Sequence, residues 1–105
     1  MGAIPDRPNF YGSLDTCLTK AQIADLYLAL GWEVRMCSWE DYEVESDWAE
    51  LVIEAESPIL MHGAVADIPF RAQELVAPLR AAGISFSAEF YGPEPIRDLL
   101  LELRS

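Results

Sequence analysis

Apolar residues recur along this chain with two spacings, one typical of helices and the other typical of strands. Between positions 57 and 91 there is an apolar run at 58–65, a helical stripe within 70–82, and a strict alternation of apolar and polar residues at 84–91. This succession predicts a strand, a crossover helix and a second strand, with the first strand in the interior of a sheet. We therefore expect these two strands to be parallel.

The crossover helix carries start and stop residues. Asp67 and Pro69 are typical of a helix start, and Gly83 is typical of a helix end. Its buried stripe is predicted to be Ala72, Leu75, Val76 and Leu79. Pro78 lies inside the pattern and lacks a backbone donor, which costs about 3 kcal/mol in a helix interior and predicts a kink or break within 74–78.

An earlier helix is predicted from a capping box that begins at Thr19, followed by an i, i+3, i+4, i+7 apolar repeat and Gly31. Residues 1–18 show no sustained period, so we predict an irregular N-terminal arm at 1–18 and a single α+β domain at 19–105. Truncation before Phe10 should then matter little.

Two further strands are predicted from alternation at 32–39 and 48–55, the latter with Ala49, Leu51 and Ile53 on one side. The intervening segment 39–47 is either a long loop or a projecting hairpin. The hairpin would place the acids at 41, 43, 45 and 47 on one face.

The last apolar pattern predicts a third helix, with Ile96, Leu99, Leu100 and Leu103 on its apolar face. The elements then follow the order α-β-β-β-α-β-α. This order predicts an α+β two-layer sandwich in which three helices accompany a four-stranded mixed sheet.

Charge is the strongest global property of the sequence. Eighteen Asp and Glu face seven Lys and Arg among 105 residues, for a formal net charge of -11. Such a field repels phosphate backbones and anionic lipids and attracts basic proteins, so we expect neither a nucleic-acid nor a membrane partner. The alternative is that the acidity only keeps a small protein in solution.

The two cysteines indicate a compartment. Cys17 and Cys37 form no Cys-x-x-Cys pair and follow no secretory leader, which predicts reduced thiols in the cytoplasm. No run approaches the ~18 apolar residues of a membrane span.

One segment combines the acidity with large aromatic side chains. We predict a binding surface for a basic protein formed by Trp39, Glu40, Asp41, Tyr42, Glu43, Glu45, Asp47 and Trp48. Rings supply rigid contact area, and carboxylates steer and pair with Arg and Lys. The alternative is a solvated hairpin whose aromatic side chains point into the core.

Metal binding and catalysis have little support in the sequence. A calcium loop starting at Asp41 would need a glycine at its sixth position and a glutamate at its twelfth, where Ser46 and Val52 stand. His62 and the two cysteines match no closed zinc spacing, so His62 is interpreted as structural. We predict no cofactor and no metal, and we find no catalytic motif.

The leading hypothesis is a small acidic protein that masks a basic partner. In size and charge the chain resembles immunity and antitoxin proteins, and this resemblance implies a toxin or nuclease as the partner. One alternative is a small-molecule-binding or catalytic domain with a pocket near His62 and Tyr91. Another is a homo-oligomeric subunit, since Leu28 and Leu101 widen two apolar helix faces and make a homodimer possible.

Overall fold

The structure, a computed structural model, describes residues 4–37, 39–93 and 97–105. Its strands are β1 (Phe10–Asp15), β2 (Glu33–Met36), β3 (Tyr42–Glu45), β4 (Ala49–Glu54), β5 (Ile59–Val65), β6 (Ser85–Tyr91) and β7 (Leu99–Arg104). Helix α1 (Lys20–Leu28) follows β1, and helix α2 (Ile68–Ala81) connects β5 to β6.

The strands form one seven-stranded sheet in the order β2-β3-β4-β5-β1-β6-β7, and every neighbouring pair is antiparallel. Strands β2 to β5 form a meander, whereas β1 lies between β5 and β6. Since β5 and β6 are both antiparallel to β1, they run in the same direction without being neighbours. The crossover through α2 therefore leaves space in the sheet for a strand from the N-terminal part of the chain.

The predicted four-stranded mixed sheet with three helices is wrong: the described residues form seven antiparallel strands and two helices. The segment predicted as a third helix is the edge strand β7, where Leu103 lies opposite Ala88. Leucines spaced by three and four positions satisfy a helical period, but pairing with β6 gives this backbone a ladder of hydrogen bonds instead. Ile96, the first residue of the predicted apolar face, lies outside the described residues.

The predicted N-terminal arm is also different in the structure. Residues Phe10–Asp15 form a strand with partners on both sides, and Phe10 and Leu14 are buried in the core. Asn9 is buried as well, and its side chain bonds the backbone of Val65. Truncation before Phe10 would remove these bonds, so this part of the chain belongs to the fold.

Helix α1 begins as predicted. The Thr19 hydroxyl oxygen accepts a hydrogen bond from the Gln22 N–H at 3.1 Å, and the Gln22 side-chain oxygen accepts one from the Thr19 N–H at 2.8 Å. This capping box satisfies two donors that the first turn of a helix leaves without intrahelical partners. Gly31 then takes a φ of 93°, in the left-handed region, where the chain turns toward β2.

Helix α2 has the predicted buried stripe but not the predicted break. It continues without interruption to Ala81 with Pro78 inside it, and the Ala82 N–H donates to the Pro78 carbonyl at 3.1 Å. Asp67 stands at the N-cap in a left-handed conformation, and its side chain does not cap the helix. Within the described parts of the chain, no helix is long and apolar enough to cross a membrane.

Both helices pack on the same face of the sheet. Strand alternation directs Val44, Leu51, Met61 and Phe90 to that face, and the buried side chains of α1 and α2 complete one core with them. The Tyr27 hydroxyl of α1 donates a buried hydrogen bond to the Leu75 carbonyl of α2 at 2.9 Å, and burial raises the pKa of Tyr27. In the described parts of the chain no helix covers the opposite face of the sheet, which we call the open face.

Candidate functional site

The residues predicted to bind a partner do not form one surface. Trp39 lies in the turn between β2 and β3 with 90% of its surface exposed, and the neighbouring Glu40 is exposed too. Asp47 is exposed in the turn between β3 and β4. These turns are at opposite ends of β3, so their side chains cannot act as a single cluster.

The other two aromatic residues of the predicted surface face the helices. Tyr42 lies opposite Ile53 and packs against the core. The Trp48 ring is 5.2 Å from the Trp32 ring, and the Arg71 guanidinium lies 4.9 Å from the centre of the Trp48 ring. For these two side chains the inward orientation, which was the alternative interpretation, is the one observed.

Asp41 has a structural role beside the first residue of α1. Its carboxylate lies 3.4 Å from the ammonium group of Lys20, whose side chain is only 9% exposed. A cation this deeply buried requires a carboxylate nearby, so Asp41 compensates a charge at the start of α1.

Glu43 and Glu45 are the members of the predicted set that reach the open face. Alternation along β3 directs them away from Val44, which is buried. The same alternation on the other strands brings further glutamates to this face, so that its glutamates are Glu33, Glu43, Glu45, Glu50, Glu54, Glu89 and Glu102. An acidic surface therefore exists, but it extends across the sheet and is not confined to one segment.

The middle of the open face carries aromatic and aliphatic side chains. His62 lies directly opposite Val52 on one side and Tyr11 on the other. The Tyr11 and Tyr91 rings meet edge to face at 5.9 Å, and Leu60 is exposed one pair further along β5. We call Tyr11, Val52, Leu60, His62 and Tyr91 the central stripe. Carboxylates from β3 and β4 lie on one side of this stripe, and those from β6 and β7 lie on the other.

Two arginines of the open face are already paired within it. Arg35 forms an ion pair with Glu43, and Arg104 forms one with Glu102 at 3.1 Å. The hydrogen bonds to these carboxylates raise the pKa of both guanidinium groups, which stay charged. These cations therefore neutralise only part of the acidic surface.

A row of like charges crosses one end of the open face. Glu45 lies directly opposite Glu33 on β2 and Glu50 on β4. Partial desolvation raises the pKa of the Glu45 carboxyl, and a hydrogen bond with Glu33 and repulsion from both neighbours add to the effect. Carboxylates placed opposite one another destabilise a sheet, so the fold tolerates a cost here that a cationic partner would relieve.

Two side chains of the central stripe form polar contacts with neighbouring glutamates. His62 Nδ1 lies 2.8 Å from a Glu54 oxygen, which holds the imidazole against the sheet. The Tyr91 hydroxyl donates to Glu89 at 3.1 Å, and partial desolvation together with this hydrogen bond raises the pKa of Tyr91. His62 is thus a surface residue with a carboxylate partner, although its strand is predominantly apolar.

A cavity of about 470 Å³ lies at the end of the sheet where β5 and β6 finish and β1 begins. Tyr91 lines it, but His62 does not. The pocket predicted from these two residues together is therefore not a single site, since His62 lies further along the open face. Among the described residues no group of three or more His, Cys, Asp or Glu side chains could hold a metal ion, and Cys17 and Cys37 are free and exposed.

Sequence reasoning missed Tyr11, Glu89 and Glu102 as members of the open face. The alternation at 84–91 already placed Glu89 and Tyr91 on one face of that strand and its buried apolar residues on the other. Tyr11 and Glu102 belonged to segments predicted as an arm and a helix. Their common face became visible only with the strand order.

Comparison with protein-family models, with curated proteins and with solved structures finds no match to this chain. The functional argument therefore rests on the arrangement of charge and aromatic surface described above.

Proposed function

We propose that the open face binds a basic protein and masks its cationic surface, as an inhibitor of the immunity or antitoxin type does. The observation that carries this proposal is the central stripe surrounded by glutamates on a sheet face that the described helices leave uncovered. Protein interfaces combine an aromatic and aliphatic centre, which excludes water, with a polar rim. A merely solvated face would not require this tyrosine pair, in which Tyr11 is exposed and Tyr91 is half-buried.

The charge of the rim selects the class of partner. Glutamates attract Arg and Lys and repel phosphate backbones and anionic lipid surfaces. A protein whose cationic surface normally contacts nucleic acid is complementary to this face, and occupying that surface would block it. The free, exposed thiols of Cys17 and Cys37 support a reducing compartment, so we propose that the encounter occurs in the cytoplasm.

The test uses two variants with the same change in charge. In the first, Glu50→Gln and Glu89→Gln remove carboxylates on either side of the central stripe. In the second, Glu40→Gln and Asp47→Asn remove exposed carboxylates from the two turns. Each protein is used to capture partners from host lysate at low salt, and a captured protein is then purified and its affinity measured against parent and variants.

The proposal predicts a basic partner whose affinity falls with the first variant and with Tyr11→Ala, and is retained by the second. The association rate should also fall steeply with salt, because the screening length shrinks from about 8 Å at 0.15 M to about 3 Å at 1 M. A loss confined to the turn variant would return the site to the 39–48 segment. Failure of the parent to capture any basic protein at low salt would argue against a binding role.

A further inference from the structure

The cavity at the end of the sheet has the dimensions of a small-molecule site. Its volume of about 470 Å³ lies within the roughly 300–1,000 Å³ typical of such pockets. It is formed where the segment before β1, the connection from β5 to α2, and the chain after β6 approach one another. Three separate parts of the chain thus contribute to one concave surface.

The walls of this cavity are mostly apolar and offer few backbone donors. Four of the lining residues are prolines, namely Pro5, Pro8, Pro69 and Pro93. A proline has no N–H and presents an aliphatic ring, and Ile68 and Leu100 add further aliphatic surface. The body of a ligand would therefore be held by apolar contact and not by a network of backbone hydrogen bonds.

Two arginines line the same cavity, although the chain has only seven basic residues against eighteen acidic ones. The Arg97 guanidinium donates to the Pro8 carbonyl at 2.6 Å and lies 5.7 Å from the centre of the Tyr91 ring, so it is held in place. Arg7 is exposed, and no residue of the described ranges forms an ion pair or a side-chain hydrogen bond with it. Arg7 is thus a cation at an apolar cavity with its hydrogen-bonding capacity unused.

The base of the cavity is fixed by the fold before any ligand binds. The Asn9 side chain donates to the Val65 carbonyl at 2.9 Å and accepts from the Val65 N–H at 2.8 Å. Beyond Val65, Asp67 adopts a left-handed backbone conformation with φ of 52°, which is costly for a non-glycine residue. Such strained positions cluster at ligand sites, and this one lines the cavity.

We propose that this cavity binds a small amphipathic organic anion. Its single charged group, a carboxylate or a sulfonate, pairs with Arg7, and its apolar body lies against the prolines, Ile68 and Leu100. A molecule with several phosphates would meet the carboxylates of Asp6 and Asp67, which also line the cavity. A fully apolar molecule would leave the Arg7 guanidinium beside its surface without compensation.

The probe for this site is 8-anilinonaphthalene-1-sulfonate, a fluorescent aromatic monoanion. Its uncharged counterpart, N-phenyl-1-naphthylamine, has nearly the same apolar body without the sulfonate. Dissociation constants for both are measured by fluorescence titration against the parent, against Arg7→Gln and against Arg35→Gln. The last variant is the matched control, because it makes the same change in charge on the open face, away from the cavity.

We expect the parent to bind the anionic probe at a ratio of one to one. Arg7→Gln should raise its Kd roughly tenfold, as loss of a charge-assisted hydrogen bond does, and should leave the Kd of the neutral probe unchanged. Arg35→Gln should change neither. Because Arg7 is exposed, the urea midpoint of Arg7→Gln should equal that of the parent, which separates lost binding from lost structure.

Three results would overturn the proposal. The parent could fail to bind the anionic probe. Both arginine variants could weaken its binding equally, which would mean that only the overall charge matters. Arg7→Gln could also weaken the neutral probe as much as the anionic one, which would mean that Arg7 does not recognise the charge. Since the open face is unchanged in Arg7→Gln, none of these results bears on the partner-binding proposal.

Discussion

Replacing Asn9 with alanine should destabilise the protein by about 2–4 kcal/mol, even though Asn9 lies outside every strand. The register of β1 with β5 pairs Phe10 with Gly63, and its continuation places Pro8 opposite Val65. Pro8 has no N–H to donate to the ladder. The Asn9 side chain supplies the missing donor to the carbonyl of Val65 and also accepts a hydrogen bond from the Val65 N–H.

The magnitude follows from the groups that the substitution leaves unpaired. Val65 is 1% exposed, and the two hydrogen bonds are 2.8 and 2.9 Å long. A buried backbone group that loses its partner costs about 1–3 kcal/mol. Two such groups would together cost about 2–6 kcal/mol. Water that enters from the neighbouring cavity reduces this cost, so we expect a loss in the lower half of the summed range, about 2–4 kcal/mol. A domain stabilised by about 5–15 kcal/mol would still fold.

The assay is equilibrium unfolding in urea, with Gln73→Ala as the control. Gln73 is an exposed amide on α2, so its truncation removes the same chemical group without leaving a buried one unpaired. With a slope of about 1–3 kcal/mol/M, the midpoint of Asn9→Ala should fall by about 0.7–4 M while the slope stays constant. If Asn9→Ala lost no more stability than Gln73→Ala, the idea that this side chain completes the ladder would be refuted.

Three other substitutions test separate parts of the fold. Gly63→Ala should lower the free energy of unfolding, measured in urea, by about 1–3 kcal/mol or more. A Cβ at this position would lie 2.0 Å from the Glu50 carbonyl oxygen. A neutral effect would contradict the close approach of β4 and β5. Thr19→Ala should cost about 1 kcal/mol by the same assay through loss of the α1 cap, and no loss would mean that the capping box does not contribute. Glu45→Gln should raise Tm at neutral pH, because folding raises the pKa of Glu45 and so penalises its ionised form above that pKa. This penalty disappears as the pH falls through the folded-state pKa of Glu45. Calorimetry at mildly acidic pH should therefore show a smaller difference in Tm between Glu45→Gln and the parent. An unchanged difference in Tm would contradict the assignment of the raised pKa to Glu45.

The elements that were predicted correctly are those whose cause is local. The capping box at Thr19 involves residues within one helical turn, and the stripe containing Leu75 needs only the helical period. The two strands that were missed depend on distant partners. In β1, Gly12 separates Phe10 from Leu14 and hides the alternation, although both β5 and β6 pair with this strand.

Strand β7 also shows that a local pattern does not reveal tertiary pairing. Its leucines satisfy a helical spacing and a strand equally well, and the contact with β6 decides between them. A pattern within one segment contains no information about which neighbour will offer hydrogen bonds. Tertiary pairing therefore overrides the local preference at this edge of the sheet.

The acidic character of the candidate surface was predicted from the net charge, but its location was not. The net charge predicted an acidic surface, and Glu43 and Glu45 do reach it. Its remaining carboxylates come from strands far apart in the sequence, and no spacing rule connects Glu50 with Glu89 before the strand order is known. The aromatic residues of the same segment serve the fold, as the contact between Trp48 and Trp32 shows.

The position of β1 also determines when this protein can be completed during its synthesis. β1 leaves the ribosome long before its partners, because Phe10 pairs first with Gly63 and then with Phe90. Until β6 has emerged, the nascent chain carries an apolar strand with an open edge, and such segments are where chains associate incorrectly. Pairings this distant in sequence also slow folding. The sheet therefore cannot be completed around β1 until β6 has been synthesised.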